Sequence, residues 1–205
     1  MNRARLGDIC EVNPSPNYDL TGDENCTFIP MDAVDDTFGT IVRRKIRRIC
    51  EVETGYTFFR EDDVLFAKIT PCMENGKCAI AKKLTNKIGF GSTEFHVIRP
   101  NVDIISSWIF FFIRQERVRQ RAQHRMTGSA GQKRVPAAFI NELEIPLPDP
   151  GEQKRIARRL WKRQTGYAAR AATPANSATP SSGLSSSKCS RARHPETGPR
   201  KLSKI

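Results

Sequence analysis

The chain has 205 residues, 38% hydrophobic and 27% charged, long enough for one substantial core and an appendage. Its longest apolar run, Trp108 to Ile113, is far too short to span a bilayer, and the N-terminus has no apolar signal core, so a cytoplasmic protein without a membrane partner is expected. The formal net charge is +12, but thirteen of the 34 cations and two of the 22 acids fall in residues 151–205, so the first 150 residues carry a net charge of +1. The high isoelectric point therefore belongs to the tail, and a case for DNA binding has to rest on local clusters in the body. Cys10, Cys26, Cys50, Cys72, Cys78 and Cys189 include no C-x-x-C pair, so neither a zinc ribbon nor a thioredoxin-like site is signalled; most are expected reduced and buried.

Leu6 to Val12 is a short apolar-polar entry, followed by the turn-rich Asn13-Pro14-Ser15-Pro16-Asn17. Thr27 to Met31 reads as a strand. An extended piece from Gly39 to Ile41 runs into Arg43-Arg44-Lys45-Ile46-Arg47-Arg48, the densest basic cluster of the body. Cations protect exposed sheet edges as readily as they contact phosphates, and both readings stand. Val64 to Ile69 is rich in large and β-branched side chains and predicts a buried strand. Thr70-Pro71 ends it, Asn75-Gly76 supplies a positive-φ turn, and Cys78 to Ala81 is its hairpin partner. Gly89 to Glu94 reads as a loop whose two glycines let the backbone approach a ligand or another strand closely. Glu94 to Arg99 is a half-buried strand with His96 expected to point outward.

From about Asp103 to Arg125 the period is helical. Ile105, Trp108, Ile109, Phe112 and Ile113 form one apolar face, and Arg114, Arg117, Arg121 and Arg125 form a stripe opposite it. That stripe is an ordinary solvated face or a DNA-contacting one. Met126 to Pro136 departs from a phosphate loop, because two residues separate its glycines and Arg134 follows Lys133, yet its Gln-Lys-Arg cluster suits a polyanion or a base edge. Phe139 to Pro148 predicts one more strand. Asp149-Pro150-Gly151-Glu152 is a helix start, and Ile156 and Leu160 lie four apart on that helix. Beyond Thr165 large aliphatics almost vanish, and the segment is expected to be disordered.

Phe28-Ile29-Pro30-Met31, Asp63 through Lys77, Gly89 through Phe95, Thr127-Gly128-Ser129-Ala130-Gly131-Gln132-Lys133-Arg134-Val135, and Ile145-Pro146-Leu147-Pro148 followed by Glu152 to Ile156 together resemble a target recognition domain of the specificity subunits of type I restriction-modification systems. The likeness covers roughly residues 4 to 161, in the family's order. It implies a mixed, β-rich α+β recognition domain (1–148) with a packed amphipathic helix, then the start of a spacer helix (149–164) and a disordered basic tail (165–205). It implies a non-catalytic module that reads one half of a split double-stranded DNA site. Such a module acts with methyltransferase and restriction subunits and a second recognition half. No cofactor is expected in this chain; S-adenosylmethionine belongs to the methyltransferase partner. The change of composition after Trp161 departs from the family and reads as a shifted reading frame or a truncation.

Within that reading the base or groove candidates are Lys68, Thr70, Glu74, Asn75, Lys77, Ser92, Thr93, Gln132, Lys133 and Arg134, since Arg or Lys suits guanine, Asn or Gln suits adenine and Glu accepts from cytosine. The phosphate candidates are Arg43, Arg44, Lys45, Arg47, Arg48, Arg114, Arg117, Arg121 and Arg125. Two rival readings are a magnesium-dependent nuclease using Asp63, Glu74 and Lys77, and a protein-interaction scaffold that does not bind DNA. The nuclease is disfavoured by spacing, because Glu74 to Lys77 is one residue longer than the usual Glu-x-Lys.

Overall fold

Short apolar segments between turn signals give short elements. The computed structural model describes residues 2–129 and 131–171, with side chains through 166. In chain order come β1 (Arg3–Arg5), α1 (Leu6–Ile9), β2 (Cys10–Val12), β3 (Asn25–Ile29), β4 (Lys45–Arg48), β5 (Thr57–Arg60), β6 (Val64–Ala67) and β7 (Cys78–Ile80). There follow β8 (Ile88–Gly91), β9 (Phe95–Pro100), α2 (Ser106–Ile113), α3 (Glu116–His124), α4 (Ala137–Glu142), β10 (Glu144–Pro146) and α5 (Pro150–Ala171). The strands form two four-stranded sheets, ordered β2-β9-β6-β7 and β4-β3-β8-β5, and a β1-β10 ribbon. All pairings are antiparallel except β3 with β8. The domain is mixed α+β and rich in β structure, as expected.

β6 is the hub. All four of its residues are buried, because each face of its sheet meets a different core. Val64 and Phe66 join Ile98, Ile109, Phe110 and Ile113 beneath the helices, while Leu65 joins Ile29, Phe59, Phe95 and Val97 against the second sheet. The far face of that sheet carries a third cluster, in which Phe58 and Phe90 are cross-strand neighbours. Gly89 and Gly91 lie inside β8, a central strand, rather than in a loop. A Cβ on Gly89 would sit 2.3 Å from the Phe59 ring, and one on Gly91 2.4 Å from the Ile29 carbonyl, so the close approach they permit is to the protein itself.

Buried charge anchors this hub. Asp63, 2% exposed, accepts from Arg99 Nε at 3.0 Å and Nη2 at 2.7 Å, and from the Arg60 amide at 2.7 Å. A desolvated carboxylate with three donors is a satisfied structural anion. His96 also differs from expectation: it is buried, its Nε2 lying 2.7 Å from the Val135 carbonyl and its Nδ1 3.1 Å from Asn13 Nδ2. A carbonyl accepts only, so Nε2 carries the proton and Nδ1 accepts from Asn13. Burial pushes the His96 pKa below its ordinary value, outweighing the Val135 bond.

The helix expected over Asp103 to Arg125 is two helices. Gln115 adopts an extended conformation between α2 and α3, and neither Gly nor Pro marks the break. Its physical accompaniment is Arg114, whose guanidinium turns inward to the carbonyls of Asp36 (3.0 Å), Thr37 (2.9 Å), Gly76 (3.2 Å) and Cys78 (3.4 Å) and stands over the Phe110 ring. Four carbonyls with no regular ladder partner find their donor there. Phe139 to Pro148, expected as one strand, is α4 followed by the short β10; Leu143 and Ile145 are buried, but Phe139 and Ile140 pack from a helix.

α5 begins as predicted, with Asp149 Oδ1 accepting the Glu152 amide at 3.0 Å and Pro150 opening the helix. Gln153 and Ala157 are buried on its packed face, and Ile156, Leu160 and Trp161 are half-buried. Gln153, 1% exposed, accepts from the Ile105 amide at 3.1 Å and donates to the Pro148 carbonyl at 3.0 Å, and Trp161 stacks on Phe110 with centroids 5.2 Å apart. The helix continues through Ala171, so the part of the expected tail from Thr165 to Ala171 is helical, consistent with its alanines. The rest of that tail lies outside the described residues, as does Cys189. Burial raises the Cys10 and Cys78 thiols to about 12 and Cys26 to about 11, leaving them inert; Cys50 is exposed and Cys72 half-buried. No helix of the described residues is long and apolar enough to cross a membrane.

Candidate nucleic-acid interface

Three segments distant in sequence converge beyond the C-terminal end of β6. The first is Lys68 to Pro71, leaving that strand; the second is Ser92 to Glu94, between β8 and β9; the third is Thr127 to Arg134, between α3 and α4. Backbone bonds tie them together. The Lys68 amide donates to Glu94 O at 2.9 Å, the Thr70 amide to Lys133 O at 3.1 Å and the Val135 amide to Lys68 O at 2.9 Å. Thr127 and Arg134 exchange amide-to-carbonyl bonds of 3.0 and 2.8 Å, closing the third segment into a small exposed hairpin whose glycines, Gly128 and Gly131, both have positive φ. Seven of the ten base candidates therefore meet at one place: Lys68, Thr70, Ser92, Thr93, Gln132, Lys133 and Arg134.

Their side chains are not equally free. Among the described residues, Lys68, Thr93, Gln132 and Lys133 make no side-chain hydrogen bond or ion pair. Thr70 Oγ1 donates to the Lys133 carbonyl at 3.4 Å, and Ser92 Oγ accepts the Glu94 amide at 3.2 Å. Arg134 is engaged by Glu94, with Nη2 to Oε1 at 2.7 Å and Nε to Oε2 at 2.9 Å, a pair that lowers the Glu94 pKa and raises that of Arg134.

The other three base candidates lie apart from this cluster. The loop after Pro71 folds back over buried Met73. Lys77 points away, its ammonium donating to the Val34 carbonyl at 2.8 Å and the Met31 carbonyl at 3.3 Å, so it ties the turn before β7 to the segment that follows β3. Asn75 is exposed at the turn, where Gly76 has a φ of +83°. Glu74 leans on α3, its backbone carbonyl taken by Arg119, beside a crevice of about 150 Å³.

The cations divide in the same way. Arg43 to Arg48 includes β4, an edge strand whose four residues are all exposed. Arg43 pairs with Asp32 at 2.5 Å, Arg47 with Glu51 at 3.8 Å, and Arg48 with Glu51 at 3.3 Å and Asp23 at 3.9 Å, while Arg44 donates to the carbonyls of Lys82 and Ile41. Lys45 forms no ion pair among the described residues. Of the predicted arginine stripe, Arg114 is half-buried and turned to four backbone carbonyls rather than outward. Arg117, Arg121 and Arg125 remain exposed on and after α3, the helix that leads into the Thr127 hairpin. Arg121 lines two adjoining grooves of about 290 and 380 Å³ with His124, Arg125 and Phe139 and with Arg5, where Glu142 and Glu144 supply counter-charge.

The nuclease reading finds no convergent site in this arrangement. Asp63 precedes β6, and Lys77 lies opposite Ala67 at the other end, a separation of about 13 Å by strand rise. Both side chains are also satisfied elsewhere. Glu94, Asn13, His96 and Arg119 carry much of the local architecture and were not predicted. Each of the four has a partner 40 or more residues away, so no local pattern marks them. Asn13 alone leaves a trace, since a positive φ before a proline-rich turn is a place where asparagine is favoured.

A family model described as the type I restriction modification DNA specificity domain matches residues 1–163. The chain is 42% identical over 150 residues to the type I restriction enzyme EcoAI specificity subunit of Escherichia coli, covering 72% of this chain and 25% of that one. It is 39% identical over 153 residues to the EcoEI specificity subunit of the same organism, covering 74% and 25%. The chain thus spans about a quarter of the length of these relatives. Among solved structures, the HsdS subunit from Thermoanaerobacter tengcongensis shares the fold, with a TM-score of 0.66 and 23% identity over 83% of this chain and 44% of that one. A second structure, described as the basis of complex assembly and conformational transition of the type I R-M system, gives a TM-score of 0.64 and 26% identity over the same shares. The match over residues 1–163 and the agreement of fold place this chain in the family of type I restriction-modification DNA specificity domains.

Proposed function

We propose that this chain is a sequence-reading module for double-stranded DNA, recognising one part of a split site and directing methyltransferase and restriction subunits to it. It contributes recognition and no chemistry; S-adenosylmethionine and the reacting groups belong to the methyltransferase partner. The module works in the cytoplasm, where the DNA is. The observation that carries the reading is the convergence of Lys68, Thr93, Gln132 and Lys133, donors and acceptors without side-chain partners among the described residues, on three loops mounted on a buried sheet. Side chains of this kind can reach groove edges, while exposed arginines such as Arg121 set register on the phosphates. The half-buried Ile156 and Leu160 on α5 suit the continuation of that helix into an assembly surface.

The test is selection of bound duplexes from a random pool, followed by titration of the winning sequence at increasing salt. Enrichment of one short motif, with log affinity falling linearly against log salt, is expected. Running the chain ended at Ala171 in parallel separates recognition from the charge of the tail. A pool returned without enrichment, together with salt-insensitive binding, would leave a protein-interaction scaffold as the better reading.

A further inference from the structure

Arg134 has the chemistry of a guanine reader and the geometry of a strut. Its Nε and Nη2 are both taken by Glu94, at 2.9 and 2.7 Å, and Nη1 donates to the Gln132 carbonyl at 3.1 Å, bracing the hairpin tip from inside. Bidentate recognition of a guanine edge needs two adjacent N–H groups on one side of the guanidinium. Each such side here already has at least one donor committed within the chain. The backbone on either side is equally held: the Arg134 amide bonds Thr127 O, and the next carbonyl, that of Val135, accepts from buried His96. Glu94 is fixed in turn, its amide by Ser92 Oγ at 3.2 Å and its carbonyl by the Lys68 amide.

We propose that the Glu94–Arg134 pair is a positioning clamp, which locks the Thr127–Arg134 hairpin onto the Ser92–Glu94 segment so that Lys68, Thr93, Gln132 and Lys133 are presented in one fixed register. The proposal rests on the DNA-reading function above. The pair joins the second of the three converging segments directly to the third, beside the path through the Lys68 backbone and the His96–Val135 bond at their bases. It is also partly exposed, with side chains 42% and 23% accessible, so its contribution falls on loop geometry more than on global stability. A clamp of this kind lets the tip residues differ while the frame that aims them stays the same.

The experiment uses the full chain, a random duplex pool, and four variants: Glu94→Gln, Arg134→Gln, Arg134→Lys and the swap Glu94→Arg with Arg134→Glu. Each single variant is expected to lose motif enrichment by about tenfold or more, the scale of one lost charge-assisted hydrogen bond, and to lose it evenly across the motif. The swap is expected to restore part of it. Amide exchange of Thr127 to Arg134 should quicken in Glu94→Gln while exchange in β6 stays slow, a readout that needs no DNA. Arg134→Lys keeps the charge and loses the fork, so it serves where Arg134→Gln unfolds. Arg134→Gln relaxing preference at one base position, with Glu94→Gln unchanged and no rescue by the swap, would make Arg134 a direct reader and overturn the clamp. Wild type enriching nothing would remove the DNA-reading function, and unchanged hairpin exchange in Glu94→Gln would remove the clamp independently.

Discussion

Arg114 and Arg121 lie seven residues apart, carry the same charge and are expected on the same helix face, yet one is half-buried and holds four backbone carbonyls while the other is exposed and lines an open groove. The same division separates Lys77 from Lys68, and Arg99 from Arg48. In each pair the first is a structural donor whose acceptors are fixed carbonyls or a buried carboxylate, and the second stands at the surface. What separates them is the supply of unsatisfied acceptors nearby: irregular segments such as Asp36–Thr37 and Gly76, and the open edge of β7 at Cys78, leave carbonyls for long cationic side chains to meet. Cation count is therefore a poor guide to the nucleic-acid surface of this domain, and the surface has to be found by asking which cations are left over.

The sharpest way to break that distinction is to remove an interior charge. Asp63→Ala leaves Arg99 facing a desolvated site and is expected to cost about 3–5 kcal/mol in denaturant unfolding, the range for breaking a buried ion pair from one side. A loss below about 1 kcal/mol would place Asp63 with the surface groups. Next comes a direct contrast on one stretch of chain. Arg114→Met should lose about 2–3 kcal/mol through its stranded carbonyls, whereas Arg121→Met should stay within about 0.5 kcal/mol of wild type. Equal effects would erase the difference between the two positions.

A smaller effect comes from His96, which titrates where the scaffold meets the loops. Its pKa is lowered by burial, so the unfolded chain binds the proton more readily than the native one, and stability falls as pH drops below the ordinary value near 6.5. Protonation would cost Asn13 Nδ2 its acceptor and leave the Nδ1–H only Asn13 Oδ1, 3.3 Å away and already accepting the Val97 amide at 3.1 Å. Glu94 acts in the same direction but lower: its pKa is depressed by Arg134, so its contribution is present above the ordinary carboxylate value and is lost as pH falls through the depressed one. Melting temperature followed from pH 7 downward should therefore drop first through His96, and His96→Gln should flatten that first limb while leaving the acidic one.

How much of this was legible follows from the range of each signal. β6 could be read because a run of large apolar residues ended by Pro71 and Asn75-Gly76 is local, and the α5 start could be read because Asp149 and Glu152 are three residues apart. The break at Gln115 could not, since periodicity runs unbroken from Ile105 to Arg125 and the acceptors that draw Arg114 inward lie 36 to 78 residues upstream. His96 was misplaced because strict alternation assumes one wet face, and β9 lies inside a sheet covered on both sides. In the candidate site, residue type identified the loops correctly, but Arg134 and Ser92 were indistinguishable from free readers until Glu94 was seen between them.

The finest test lies within the Arg43–Arg48 cluster, where a single edge strand holds both paired and unpaired cations. Arg48 sits between Glu51 and Asp23, so a phosphate can engage it only by displacing a carboxylate and leaving that acid close to the DNA. Lys45 has no such competitor among the described residues, and it stands at the end of β4 paired with Phe28, the end nearest Ser92. If this edge follows the backbone, Lys45→Ala should lower the salt slope of duplex binding by about 0.9, one released counterion. Arg48→Ala should change the slope less, with the folded protein equally stable in both. A larger slope change from Arg48 than from Lys45 would mean that the acids screen nothing and that pairing within the chain does not predict which cations reach phosphate. No change from either would confine the DNA to the loops and α3, and leave β4 as a charged edge that keeps its sheet from pairing with another.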